Sequence, residues 1–228
     1  MKFLNIIAEG KTEEEFVRKT LTPYLANFEV FVSCQRVHTG GTKLHPIKGG
    51  LGRIPKYRPV IRALERWRET EKNRNNVFYS TMLDLYAFPK DEESPYSQRI
   101  QNIPDKYQRI EELENAMAQL HNCPTFIPYV QLHEFETLLL VDVSKLSVVF
   151  PEHQNSIEKF KVQMNGKNVE LINDRPELSP SNRITSYIPE YQSQKSTIGP
   201  MIAEDIGIQN LKMKCQHFNQ WITKLENL

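Results

Sequence analysis

No single bulk property of this chain names its work. Only three cysteines occur among 228 residues, Cys34, Cys123 and Cys215. An odd count at wide spacing argues against a disulfide framework and suits a reducing compartment. Charge of one sign is missing too: 29 Lys and Arg stand against 28 Asp and Glu, a formal net charge of +1. No whole-protein field draws in nucleic acid or an anionic membrane, so any such partner must be met by a local patch. No apolar stretch approaches the ~20 residues that cross a bilayer. Met1 to Ala8 lacks the length and cleavage pattern of a signal peptide, so a cytoplasmic location and no membrane partner are expected. Internal repeats and low-complexity tracts are also missing.

What is present is an ordinary globular composition, 39% hydrophobic and 25% charged, in a chain long enough to bury a substantial core. Phe3 to Ala8 reads as a buried strand entering a tight turn at Gly10. A helix follows over about 12–26, with Phe16, Val17, Leu21, Tyr24 and Leu25 as its apolar stripe. Val30 to Val37 reads as a second strand and 39–52 as a Gly-rich loop. Residues 57–71 have Tyr57, Val60, Ile61, Leu64 and Trp67 at helical spacing. Val77 to Leu83 reads as a third strand ending at Asp84. A loop then runs to about Pro104, and a helix is expected over 105–120. Phe126 to Leu132 reads as a fourth strand, and beyond Phe150 the pattern is helical. Strands alternating with helices predict an α/β fold, with a roughly four-stranded, mostly parallel sheet flanked by helices. A single domain over 1–228 is expected, with its core at about 1–145 and a mostly helical extension at about 146–228.

Four features could carry chemistry. In Glu9-Gly10-Lys11-Thr12-Glu13, the Gly-Lys-Thr string imitates a phosphate loop. Asn5 stands where that loop needs its first glycine, and the following glutamates would repel a phosphate. A capping box between Thr12 and Glu15, with Glu13 and Glu14 at the positive helix end, accounts for the later acids. It does not account for Glu9, at a strand end where parallel sheets bind ligands. Glu13, four residues on, can face the same side. Asp84 closes a second apolar strand, though turn or helix capping is an ordinary role there. Carboxylates sharing one mouth repel unless a divalent cation offsets them, and oxygen-only ligands favour Mg²⁺ or Mn²⁺.

The third feature is His133-Glu134-Phe135-Glu136, after the fourth strand. Thr137 excludes the H-E-x-x-H zinc motif. Glu136 is a ligand candidate, with His133 and Glu134 as its supports. The fourth is basic: from Lys43 to Arg74, ten Lys and Arg stand against three Glu, a local +7. Arg58, Arg62 and Arg66 lie four apart on one helix face. A solvated face is the usual role of such a stripe, and the local excess fits contact with a nucleic-acid backbone.

Several strings together resemble a known family. Glu9 to Glu13 is similar to the first Toprim motif, and Met82 to Pro89 to its aspartate motif. Gln131 to Leu139, Ile172 to Asp174, Pro180 to Ile184, Lys195 to Gly199 and Cys215 to Trp221 resemble the bacterial domain-of-unknown-function family 4276. The likeness spans nearly the whole chain. It implies a Toprim-like fold and a Mg²⁺-dependent site. Glu9 would be a metal ligand or general acid/base, Asp84 a ligand, and Glu13 and Glu136 further ligands. Lys195 would stabilise charge on a scissile phosphate. Toprim domains occur in topoisomerases, primases and nucleases of the overcoming-lysogenization-defect type. Similar family members are often encoded beside an ATPase and linked to phage defence. One departure stands out: the usual motif is Asp-x-Asp, and its second position here is Tyr86.

The resulting expectation is a divalent-metal-dependent nuclease acting on DNA ahead of RNA, with an ATPase as protein partner. The alternative is a non-catalytic regulatory subunit of that ATPase. A nucleotide transferase using the Gly40-Gly41 and Gly49-Gly50 loops is a third, weaker fit, because glycine pairs commonly just make turns.

Overall fold

An apolar run with almost no alternation can be buried on both faces, as central parallel strands are. Phe3 to Ala8 does this as β1 (Lys2–Ala8). The computed structural model describes residues 1–41, 46–48, 55–172 and 175–228, and the side chains of these except 38–41, 46–48 and Pro176. Strand β1 lies between β2 (Val30–Arg36) and β5 (Val77–Asp84), parallel to both. Ala8 is in register with Arg36 on one side and Met82 on the other. The sheet order is β2-β1-β5-β6, with β6 at Phe126–Ile127; β7 (Val130–Gln131) also pairs β5, again in parallel. The expected parallel α/β sheet is therefore present, with helices on both faces and a helical C-terminal part.

Two local expectations need correction. The single strand expected over Phe126 to Leu132 is broken into β6 and β7. Pro128 sits between them and has no N–H for a ladder. The Thr81 hydroxyl fills the gap, donating to the Tyr129 carbonyl at 2.9 Å and accepting from its N–H at 3.0 Å. The Gly-rich loop expected over 39–52 carries an antiparallel ribbon of β3 (His38–Gly41) and β4 (Pro46–Lys48). Gly49 and Gly50 lie outside the described residues.

Alternating side chains divide the core into two layers. On one face Ile7, Tyr79 and Leu83 pack against α3 (Arg58–Thr70) and α5 (Lys106–His121), through Val60, Leu64, Ile110 and Leu113. Between these helices, α4 is short (Gln98–Gln101). On the other face Leu4, Ile6 and Met82 belong to a larger core. That core includes Phe16 of α1 (Lys11–Phe16) and Leu25 of α2 (Thr22–Ala26). It also includes α6 (Leu146–Val149), α7 (Gln154–Met164), α8 (Pro180–Tyr187), α9 (Tyr191–Ile206), α10 (Ile208–Lys214) and α11 (Gln216–Glu226). The C-terminal helices are thus the cover of one sheet face. No helix among the described residues is long and apolar enough to cross a membrane.

Polar anchors fix α11 against the sheet. The Trp221 indole stacks on Tyr129 with centroids 4.1 Å apart, and its N–H donates to Ser80 Oγ at 3.0 Å. The start of α11 rests on Glu170, a fully buried residue. Its carboxylate accepts from the backbone N–H groups of His217 and Phe218 at 3.1 and 3.2 Å, and from the Tyr107 hydroxyl at 2.9 Å. Those N–H groups are donors that a helix leaves unpaired at its start. Glu170→Ala would strand all three. The expected cost is about 3–5 kcal/mol, or roughly 6–20 °C in melting temperature. Exposed Glu158→Ala should be neutral. A thermal melt checks this, and an unchanged midpoint for Glu170→Ala would refute the anchoring role.

Candidate functional site

The aligned ends of β1 and β5 bring the first two acids together. Glu9 N–H donates to the Met82 carbonyl at 3.0 Å, continuing the ladder past β1. Its side chain turns across, and Glu9 Oε2 accepts the Asp84 N–H at 2.8 Å. Glu13 is brought in by the helix start. The structure corrects the expected Thr12–Glu15 cap: α1 begins at Lys11, and Glu13 Oε2 accepts the Gly10 N–H at 2.7 Å. Glu15 instead faces outward to Lys19 at 3.1 Å.

The segment after β7 supplies the rest. His133 is held at φ 66°, a left-handed conformation uncommon outside glycine. Its Nε2 lies 3.0 Å from the Glu170 carbonyl, so that nitrogen carries the proton and donates. Glu134 Oε1 accepts the Ser181 N–H at 2.6 Å, at the start of α8. Glu136 is buried, and its Oε1 accepts the Tyr191 hydroxyl at 3.1 Å. Lys195 follows Tyr191 by one turn of α9, so the two share a face. Gly199 continues that face. A Cβ there would lie 3.2 Å from the Tyr191 hydroxyl and 3.3 Å from the Phe135 ring, so glycine lets α9 approach closely.

These carboxylates act on one another. Burial pushes Glu9 up to about 7, against the Asp84 N–H and Lys195, which lower it. Burial, then the charge of Glu9, pushes Glu13 up to about 7. Burial, then Glu134, pushes Glu136 up to about 7, opposed by Lys195. Asp84 is held well above the usual carboxylate range by burial first, then by Glu13, Glu9, Glu136 and Glu134. Its Oδ1 is buried without a hydrogen-bond partner.

A family model described as a domain of unknown function, DUF4276, matches residues 8–226. The chain belongs to the DUF4276 family. No curated protein and no solved structure matches it.

In this DUF4276 chain the structure brings Glu9, Glu13, Asp84, Glu134, Glu136 and Lys195 to one end of the sheet, and His133 starts the segment that carries Glu134 and Glu136. It does not bring Arg58, Arg62 and Arg66 there. They are exposed on α3, in the layer on the opposite sheet face, and Arg58 pairs with Glu93 at 2.8 Å. Asn173 and Asp174, part of one family-like string, lie outside the described residues. Sequence reading missed Tyr191 and Glu170. The four-residue spacing of Tyr191, Lys195 and Gly199 was a usable signal for the first; nothing local marks Glu170. Among the described residues, no three His, Cys, Asp or Glu side chains stand ready as a group to hold a metal ion. The donors nonetheless fit a hard divalent cation in kind: all are oxygens, and the orphaned Asp84 Oδ1 requires a cation or a proton.

A sign follows for stability. An acid with a folded pKa above its unfolded value (about 4) binds more protons in the native state between the two. The cluster therefore stabilises most at low pH, and stability falls as pH rises from about 4 to about 7. Asp84→Asn removes one such charge. At pH 8, where Glu9, Glu13 and Glu136 around it are charged, it should raise the melting temperature by roughly 2–8 °C, from about 1–2 kcal/mol. At pH 5, where those glutamates are protonated, the gain should shrink. A gain of equal size at both pH values would contradict the assignment.

Proposed function

We propose that the acidic cluster takes up Mg²⁺ or Mn²⁺ and that the chain hydrolyses phosphodiester bonds of nucleic acid, DNA ahead of RNA. The observation that supports this most is the buried, unpartnered Asp84 Oδ1 among Glu9, Glu13, Glu134 and Glu136. Like charges held together out of water raise one another's proton affinity, and a cation relieves that cost. Glu9, Glu13, Asp84 and Glu136 would hold the ion, which would supply Lewis acidity and a water of lowered pKa.

The remaining roles belong to the chain's own groups. Glu9, held by the Asp84 N–H, is the candidate to take a proton from the attacking water. Half-buried Lys195 offers positive charge where phosphate oxygens gain negative charge. His133 and Glu134 brace the segment that carries Glu136. The exposed arginines of α3 offer a backbone contact away from the chemistry. The likeness of Glu9 to Glu13 and Met82 to Pro89 to Toprim motifs supports the same reading. It extends to the proposal that the chain is the effector of an ATPase-linked phage-defence system.

Two observations favour a second reading, a non-catalytic regulatory subunit of an ATPase. Tyr86 stands where a second aspartate would complete the Toprim motif, and no three-residue metal group is set among the described residues.

Plasmid, single-stranded DNA and RNA incubated with Mg²⁺ or Mn²⁺ separate the two. Cleavage should appear only with the ion, and Glu9→Gln and Asp84→Asn should each lower its rate by roughly 10²–10³-fold. Undiminished cleavage in both variants rejects the assignment. No calorimetric uptake of either metal, together with stable binding to the ATPase, selects the second reading.

A further inference from the structure

We infer that Tyr86 is a stacking platform for an unpaired base, and that the substrate reaches the acidic site as a single strand. This rests on reading the acidic cluster as the site of phosphodiester cleavage.

At this end of the sheet the charges of Glu9, Glu13, Glu134 and Glu136 act on Asp84, and Lys195 acts on Glu9, Glu13 and Glu136. A phosphate backbone cannot be gripped there by a surplus of positive charge, and the basic face of α3 lies on the opposite layer. A contact that needs no charge is required beside the acids, and base–aromatic stacking is one. Tyr86 is a large side chain at this place and is 42% exposed. It lies two residues beyond Asp84, so its Cα is within about 7 Å of that of Asp84. Its backbone N–H donates to the His133 carbonyl at 3.0 Å. Its ring meets the His133 imidazole edge-on, with centroids 5.5 Å apart at 64°. His133 is itself buried and tied through Nε2 to the Glu170 carbonyl. The ring therefore rests on a buried, hydrogen-bonded neighbour, and part of the residue meets solvent. Bases inside a duplex have both faces covered by their neighbours, so only an unstacked base can lie on the ring.

The test uses the full chain and phosphorothioate-linked oligothymidylate and oligouridylate, read by fluorescence anisotropy. Tyr86→Ala should weaken binding roughly 5- to 150-fold, the fold-change equal to the ~1–3 kcal/mol of one stacked base. Tyr86→Phe should stay within about twofold, and Tyr86→Trp should bind at least as tightly. An oligonucleotide of abasic sites should bind the wild type and Tyr86→Ala alike. The two arms tell DNA from RNA. Equal binding of wild type and Tyr86→Ala overturns the inference, as does an equal loss on the abasic strand or no binding by the wild type. Calorimetry with Mn²⁺ is run in parallel on the wild type. Uptake of the ion without a Tyr86 effect defeats the stacking role alone. A chain that binds no ion defeats the reading of the acidic cluster, while the oligonucleotide comparison is still decided on its own.

Discussion

The Glu9 carboxylate takes the Asp84 N–H at 2.8 Å, across the ends of two adjacent parallel strands. This bond exists only because Ala8 and Met82 are in register, which aims the next residues of both strands at the same opening. It spends one oxygen of Glu9 on a backbone donor and leaves Asp84 beside it with Oδ1 unpaired. Once two acids are pinned side by side, each further acid raises the cost, and the fold adds Glu13, Glu134 and Glu136 all the same. Like Glu9, the three added acids Glu13, Glu134 and Glu136 each accept a hydrogen bond: from Gly10 N–H, Ser181 N–H and the Tyr191 hydroxyl. These bonds fix the acids in place without discharging them.

The C-terminal helices are what keep that end out of water. The α9 face carrying Tyr191, Lys195 and Gly199 brings a hydroxyl, a cation and a gap wide enough for close approach. Helix α11 is locked to the sheet by Trp221 and Glu170, and the Glu170 carbonyl in turn fixes His133. Buried carboxylates are used in two ways here. Glu170 sits at a helix start, where backbone donors and the dipole welcome a negative charge. The Glu9 and Asp84 group has much less of that compensation, so burial dominates its proton affinity.

Much of this was legible from local pattern. The strands and helices around Glu9, Asp84 and Arg58 follow from apolar periodicity, and the parallel order follows from their alternation. Asp105, which accepts the Gln108 N–H at 2.8 Å, starts its helix where the pattern puts it. Glu9 and Asp84 stood out because a carboxylate at the end of a buried strand has no packing reason to be there. What was not legible depended on partners far along the chain. Glu170 looks like any surface glutamate until residues 217 and 218 arrive to meet it. The cap at Gly10 was misread because Thr12 offers a stronger local signal than a glycine whose partner is a side chain in the next turn. Pro128 was visible, but the Thr81 hydroxyl that lets the sheet absorb it was not.

The bond from the Tyr24 hydroxyl to Glu226, 2.6 Å long and spanning 202 residues, has a consequence for how the molecule is made. A ribosome releases the strands bearing Glu9 and Asp84 well before α9 and α11. Until those helices emerge, one face of the nascent sheet has no cover. The acids at its edge then remain hydrated and carry their ordinary charge. Contacts this distant in sequence are slow to form and leave apolar surface open meanwhile. The acidic end therefore acquires its unusual proton affinity last, at the moment the final helices close over it.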